Sequence, residues 1–201
     1  GQVMANMFSE FGITQTAIDF KLGTSTTDID QKIRQLKSSV AKNVLNGGAI
    51  SGVSVLVDPV FFDKLIRHPK IVNAYQYYLN SGKQVLRDDL SDYLKWGIMD
   101  HFEHRGVKFL SYDATFNLPD GTTEVAFADS TGTAYAEGVR DLFRGYNGPS
   151  AKLSGANEQG QEIFMRTYLD PKDEYVEFEM EAAPLMFCTK PASLIAVSSS
   201  D

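Results

Sequence analysis

One cysteine, Cys188, stands among the 201 residues, so no intrachain disulfide can form and an intracellular folding site is favoured. Long hydrophobic runs are missing: nothing approaches the roughly 20 apolar residues of a membrane-crossing helix. Positive charge is in deficit too. The formal net charge of −7 argues against whole-molecule attraction to nucleic acid or to an anionic membrane. The start, Gly1-Gln2-Val3, has neither an initiator methionine nor a signal-peptide pattern, and reads as part of a longer polypeptide.

The usual marks of catalysis are also missing. No serine sits in G-x-S-x-G, and neither common phosphate cradle, G-x-x-x-x-G-K-[ST] or G-x-G-x-x-G, occurs. "HFEHRG" gathers His101, Glu103 and His104, but the order is not that of H-E-x-x-H, and on a strand His101 and Glu103 share a face while His104 points away. A solvated turn entering a strand at Gly106 is the expected reading. Cys188 lies in an apolar stretch, where a small buried thiol is the ordinary outcome. Acids are plentiful, among them Asp88, Asp89, Asp92 and the set Glu177, Glu179 and Glu181, without a marked acid/base pair. No cofactor or metal is expected, and no enzyme.

What is present is a globular composition, 43% hydrophobic and 11% aromatic, enough for one sizeable core or a core and a smaller lobe. Ile18, Phe20 and Leu22 alternate with Asp19 and Lys21, the period of a half-buried strand. Ile29, Ile33, Leu36, Val40 and Val44 then recur every three or four residues, which predicts one long helix over 27–46. Thr27 with Asp30 resembles a capping box, and Asn46-Gly47-Gly48 supplies an exit. "GVSVLVDP" reads as a buried strand; Asp58 and Pro59 open a short helix, and His68-Pro69 ends it and starts another that closes at Ser81-Gly82. Residues 85–97 read as loop with a helical turn.

Beyond residue 106 the pattern turns to strands: "GVKFLSYDATF", "TTEVAFA", "TAYAEGV", "QEIFMRTYLD", "EYVEFEMEAA" and the ending. In the fifth, Val176, Phe178 and Met180 alternate with Glu177, Glu179 and Glu181, so the apolar face is expected on a core and the acids in solvent. Helices first and strands mostly later indicate α+β. The end of the chain holds two apolar bursts, 184–188 and 193–197, each at or just after a proline. Proline cannot donate to a ladder, so such strands begin at it or lie at an edge.

"VRDLFRGYNGPSA" sets Phe143 and Tyr146 beside Arg140 and Arg144 before a turn. Aromatics and arginine are enriched where proteins meet. A core strand leading into a turn is the equally weighted reading.

The order of these segments resembles the lambda-type phage major capsid protein E family. The carrying stretches are "SEFGITQTAIDFKLG", the long helix, "VSVLVDPVFFDKLIRHP", "YQYYLNSGKQVLRDDL", "GVKFLSYDATF", "TAYAEGVRDLFRGYNGPSA" and "AAPLMFCTKPASLIAV". Each motif is weak alone, while their order and the C-terminal pair are fairly specific. Glu137 and Gly148 depart from the family pattern, where proline and alanine are usual.

The resemblance implies an α+β fold of Hong Kong 97 type, with a spine helix, a peripheral-domain sheet and an axial domain. It places the end of the extended loop and the spine helix in 1–50, a mainly axial domain in 51–160, and peripheral strands with the C-terminal strand in 161–201. Strands around 162–182 would pack beneath the spine. The N-terminal arm and most of the extended loop would precede this chain. The implied function is a structural subunit of a phage or prophage. It would be folded in the bacterial host cytoplasm and located in the virion capsid, its copies forming pentamers and hexamers of an icosahedral shell. That shell would enclose double-stranded DNA without sequence-specific binding, helped by possible scaffold and decoration proteins. This chain alone is expected as a monomer or small oligomer. Leu142, Phe143, Arg144, Tyr146, Pro149, Pro184, Leu185, Cys188 and Pro191 are the expected interface or structural residues. A tail or decoration protein is the alternative, and a metal-dependent enzyme using Asp88, Asp92 and Glu103 a more remote one.

Overall fold

The computed structural model describes residues 6–44, 49–80, 98–118, 121–155, 157–172 and 174–200. The expected helix exit at 46–48, the close of the next helix at Ser81-Gly82 and the ambiguous 85–97 lie outside the described residues. The chain forms two compact units, 1–140 with 190–201, and 141–189.

In the first unit, a short helix α1 (Met7–Glu10) precedes strand β1 (Ala17–Asp19). The long helix follows as α2 (Ile29–Asn43), with Ile29, Ile33, Leu36 and Val40 buried along one stripe, as the spacing predicts. Its cap differs from expectation. Asp28, not Thr27, caps the helix by accepting from the Gln31 amide at 3.0 Å. The Thr27 hydroxyl donates instead to Lys21 O, and the Asp30 carboxylate turns to His104 and Arg105. Both halves of the supposed capping box are engaged elsewhere, so the helix begins two residues later.

Strand β2 (Gly52–Val57) leads to α3 (Pro59–Arg67), with Asp58 as cap and Pro59 at the first helical position, and then to α4 (Pro69–Asn80). His68 holds the break between these helices. Buried at 2% exposure, it accepts the Lys70 amide at Nδ1 and donates from Nε2 to Thr24 O at 3.1 Å.

Residues 101–104, expected as part of a turn, belong to strand β3 (Ile98–His104), paired antiparallel with β4 (Val107–Tyr112). Only Arg105 and Gly106 turn, both with positive φ, +50° and +73°, which suits a two-residue hairpin. A small ribbon of β5 (Thr115–Asn117) and β6 (Thr123–Val125) precedes β7 (Thr131–Glu137).

Six strands make one mixed sheet in the order β1, β12, β7, β2, β4, β3, where β12 is Ile195–Ser198. The β1–β12 and β2–β4 pairs are parallel and the rest antiparallel. Every second residue of β7 is buried and small: Gly132, Ala134 and Ala136. They stand opposite Val57, Val55 and Val53 of β2. A Cβ on Gly132 would lie 2.7 Å from Val57 Cγ1, so this strand crossing admits no side chain there. Helix α2 rests against β7, β12 and the 3-10 turn Pro191–Ser193. Phe20, Phe61 and Phe109, all fully buried, meet edge to face with ring centres 5.7 and 6.3 Å apart.

The two apolar bursts at the end part company. Strand β11 (Pro184–Cys188) starts at its proline in a two-stranded ribbon, as expected. Pro191 starts no strand. It opens the 3-10 turn, and β12 beyond it is an interior strand between β1 and β7. With the proline outside the ladder, all of β12 is free to pair on both sides.

Candidate interaction surface

Unit 141–189 runs out through β8 (Phe143–Asn147) and β9 (Phe164–Leu169) and returns through β10 (Val176–Glu181) and β11. Strand β8 pairs with β11 and β9 with β10, giving two antiparallel ribbons.

Within "VRDLFRGYNG" residues Phe143–Asn147 form a strand, but not a core strand. All five residues of β8 are exposed, with Phe143 at 56% and Tyr146 at 50%. Leu142, just before it, is buried, and its carbonyl accepts the Thr189 amide to close the base of the ribbon. The register sets Arg144 and Tyr146 on one face with Leu185 and Phe187, and Phe143 on the other with Met186 and Cys188. Tyr146 stacks on Phe187 at 5.5 Å. Arg144 is held between Asp141, at 3.1 Å, and the Tyr146 hydroxyl, at 3.3 Å, and these partners raise its pKa. Leu185 is exposed and Cys188 buried. Pro149 and Pro184 lie exposed at the end of the ribbon away from Leu142, and Pro191 is buried in the other unit. The structure thus brings Phe143, Arg144, Tyr146, Pro184, Leu185 and Cys188 together on one ribbon.

The second ribbon reverses an expectation. Val176, Phe178 and Met180 do alternate with the glutamates, but it is the apolar face that is open. Phe178 is 65% and Met180 67% exposed, and opposite them Met165 and Leu169 are open too. On the acidic face Glu179 and Glu181 are partly covered, while Glu177 stays exposed. Glu181 accepts from the Ser150 hydroxyl and the Ala151 amide, both at 2.6 Å, and Arg166 lies beside it at 3.7 Å. Lys152 pairs with Glu179 and lies 5.3 Å above the Tyr168 ring. Hydrogen bonds from Ser150 and Ala151 hold the Glu181 carboxyl below its usual range, and the bond from Lys152 does the same for Glu179. Phe164 is buried on this side. A charged row reads as solvent-facing when considered alone; here the loop 150–155 supplies its hydroxyl, amide and ammonium partners.

Glu137, where the family pattern has proline, has a structural role. Burial acts to raise its pKa, but hydrogen bonds from Ser54 and Lys108 prevail and lower it. A proline there would remove this tie between β7, β2 and β4.

Nothing described has the geometry of a catalytic centre. Among the described residues no group of three His, Cys, Asp or Glu is placed to hold a metal ion. A cavity of about 400 Å³ near the start of α2 is lined by Asp28, Asp30, Lys70, His104 and Arg105 among others. Three of its polar side chains are engaged with one another, since Asp30 accepts from His104 at 2.9 Å and from Arg105. Asp88 and Asp92 lie outside the described residues, and Glu103 sits on β3 opposite Lys108. No described helix is long and apolar enough to cross a membrane.

Comparison with known proteins agrees with a surface built for contact. Residues 1–199 match the family described as phage major capsid protein E. The major capsid protein of Salmonella phage Felix O1 is 31% identical over 98% of this chain and 58% of its own length. That of Pseudomonas phage KPP10 is 30% identical over 87% of this chain and 50% of its own length. The chain therefore spans little more than half the length of these relatives. Among solved structures, a protein described as the capsid protein of an E. coli CFT073 prophage superposes with a TM-score of 0.56 over 90% of this chain and 50% of its own, at 9% identity, a likeness of fold. The chain belongs to the phage major capsid protein E family, a family of structural proteins.

Proposed function

We propose that this chain is the greater part of a major capsid subunit of a phage or prophage, which assembles with copies of itself into a closed shell around double-stranded DNA. The observation that carries the reading is the outward apolar surface of 141–189, in a chain whose named relatives are major capsid proteins. A monomeric enzyme has no use for Phe143, Phe178, Met180 and Met186 in water; a subunit that is covered by neighbours does.

On this reading the fold is of Hong Kong 97 type. Helix α2 is the spine, and the subunit builds pentamers and hexamers located in the virion capsid. Phe143, Arg144, Tyr146 and Leu185 meet neighbouring copies. Leu142 and Cys188 pack the base of the ribbon, and Pro149, Pro184 and Pro191 set where strands begin and end. Many modest contacts suffice, because closure of the shell makes them cooperative. The net charge of −7 suits a shell that holds DNA without gripping it.

Electron microscopy of the full-length parent chain, expressed alone and with a scaffold protein, tests the reading. Uniform polyhedral particles are the expected result; rings or tubes in both preparations would assign the chain to a tail instead.

A further inference from the structure

We infer that the open face of the β9–β10 ribbon is a self-association surface, which packs face to face on the same ribbon of a second copy of this chain. The inference deepens the capsid reading and rests on it for the abundance of identical neighbours.

The face consists of three cross-strand pairs, Met165–Met180, Thr167–Phe178 and Leu169–Val176. No charged residue belongs to it, because Arg166, Glu177, Glu179 and Glu181 all fall on the opposite side, where Arg166, Glu179 and Glu181 are bound among themselves or to loop 150–152. Such a surface offers nothing to DNA phosphates, which demand cations. It offers no charge pattern to select an unlike protein either. An uncharged face does fit a copy of itself, since a two-fold contact sets each residue class against its own kind without like-charge repulsion.

Size supports the same occupant. Five large apolar side chains, between 46% and 72% exposed, present roughly 600 Å², the upper end for a monomer's largest patch. Two such faces together remove roughly 1,200 Å² from water, the lower limit of specific association. That suits a contact that forms in a crowded assembly and dissociates when misplaced. Methionine at both ends of one pair adds a surface that adapts to its partner.

Thr167, with Phe178 opposite, lies at the centre of the face, where a two-fold axis would bring two copies closest. Sheets packed face to face lie about 10 Å apart, within reach of a short bifunctional maleimide. The test places Thr167→Cys in the full-length parent chain. Unaltered protein and Glu177→Cys, exposed on the opposite, acidic face, serve as controls. The crosslinker is applied both to assembled particles and to concentrated unassembled protein. The expected result is a covalent homodimer with T167C alone, lost when Phe178→Glu is added, while the circular dichroism melt stays unchanged because Phe178 is exposed. In addition, F178E raises the protein concentration needed for assembly about tenfold. No homodimer in either sample, a crosslink to another protein, or F178E assembling at the ordinary concentration overturns the inference. Particle formation itself is read separately. Absent particles with a T167C homodimer in concentrated protein would count against the shell and keep this contact; normal particles without the homodimer would do the reverse.

Discussion

Asp58 shows how much one residue can hold. It is 8% exposed, and its Oδ2 accepts the Val60 amide at 2.9 Å, the Phe61 amide at 3.4 Å and the Ser130 amide at 3.0 Å. The cap of α3 and the entrance to β7 therefore share one carboxylate. Asp58→Ala is expected to cost about 2–3 kcal/mol, more than a cap alone, because a further amide loses its acceptor. Urea unfolding measures it, and a loss below about 0.5 kcal/mol would show that the shared carboxylate is dispensable. Asp30 adds a pH dependence. A hydrogen bond from Arg105, reinforced by His104 and opposed by burial, lowers its pKa. A carboxyl with a depressed folded-state pKa contributes stability that is present above its unfolded value and lost as pH falls through the folded one. Asp30→Asn should thus lower the urea midpoint at pH 7, and by clearly less at pH 3, below the ordinary carboxyl value, where the contribution has begun to be lost. Equal losses at both values would assign the effect to packing.

At the scale of elements, the alternation of 176–181 is legible in the residues themselves, and so are α2, α3 and β2. Period-two alternation says that two faces differ; it does not say which one is covered. That depends on residues distant in sequence, because Glu181 finds Ser150 and Glu179 finds Lys152. The tie predicts a local effect. Glu181→Ala should speed amide exchange at Ala151 about tenfold or more while β2 and β4 stay protected. Unchanged exchange at Ala151 would mean that the loop is held by other contacts. Gly160 belongs to the same account: a Cβ there would overlap the Asn147 carbonyl, so the return of the loop past β8 demands glycine. The capping-box spacing at 27–30 misleads for a comparable reason, since Thr27 and Asp30 have better partners in Lys21 O, His104 and Arg105.

For the whole molecule, the two units differ in what they bury. The first holds the Phe20–Phe61–Phe109 cluster, and Phe109→Ala there should cost about 3–5 kcal/mol by cavity formation. The second leaves most of its large apolar side chains outside, Leu142 and Phe164 excepted, so substitutions on β8 should spare stability and affect association. Phe143→Ala or Arg144→Ala in the full-length parent is expected to raise the concentration needed for assembly about tenfold, the effect of an interface residue worth somewhat over 1 kcal/mol. Light scattering against concentration measures it, and wild-type assembly by both variants would remove β8 from the interface.

Local order was set by the chain itself: strand and helix periods, the Asp58-Pro59 helix start, the break at His68-Pro69 and the succession of motifs that marks the family. These follow from covalent spacing and backbone chemistry, which act over a few residues. Tertiary structure alone decided that β12 is an interior strand, that Asp28 caps α2, and that Glu179 and Glu181 of β10 bind loop 150–152 while its apolar residues face out. Those outcomes depend on which distant groups compete for the same hydrogen bonds and the same dry surface. Such competition is settled only when the chain is folded, because no local pattern contains both competitors.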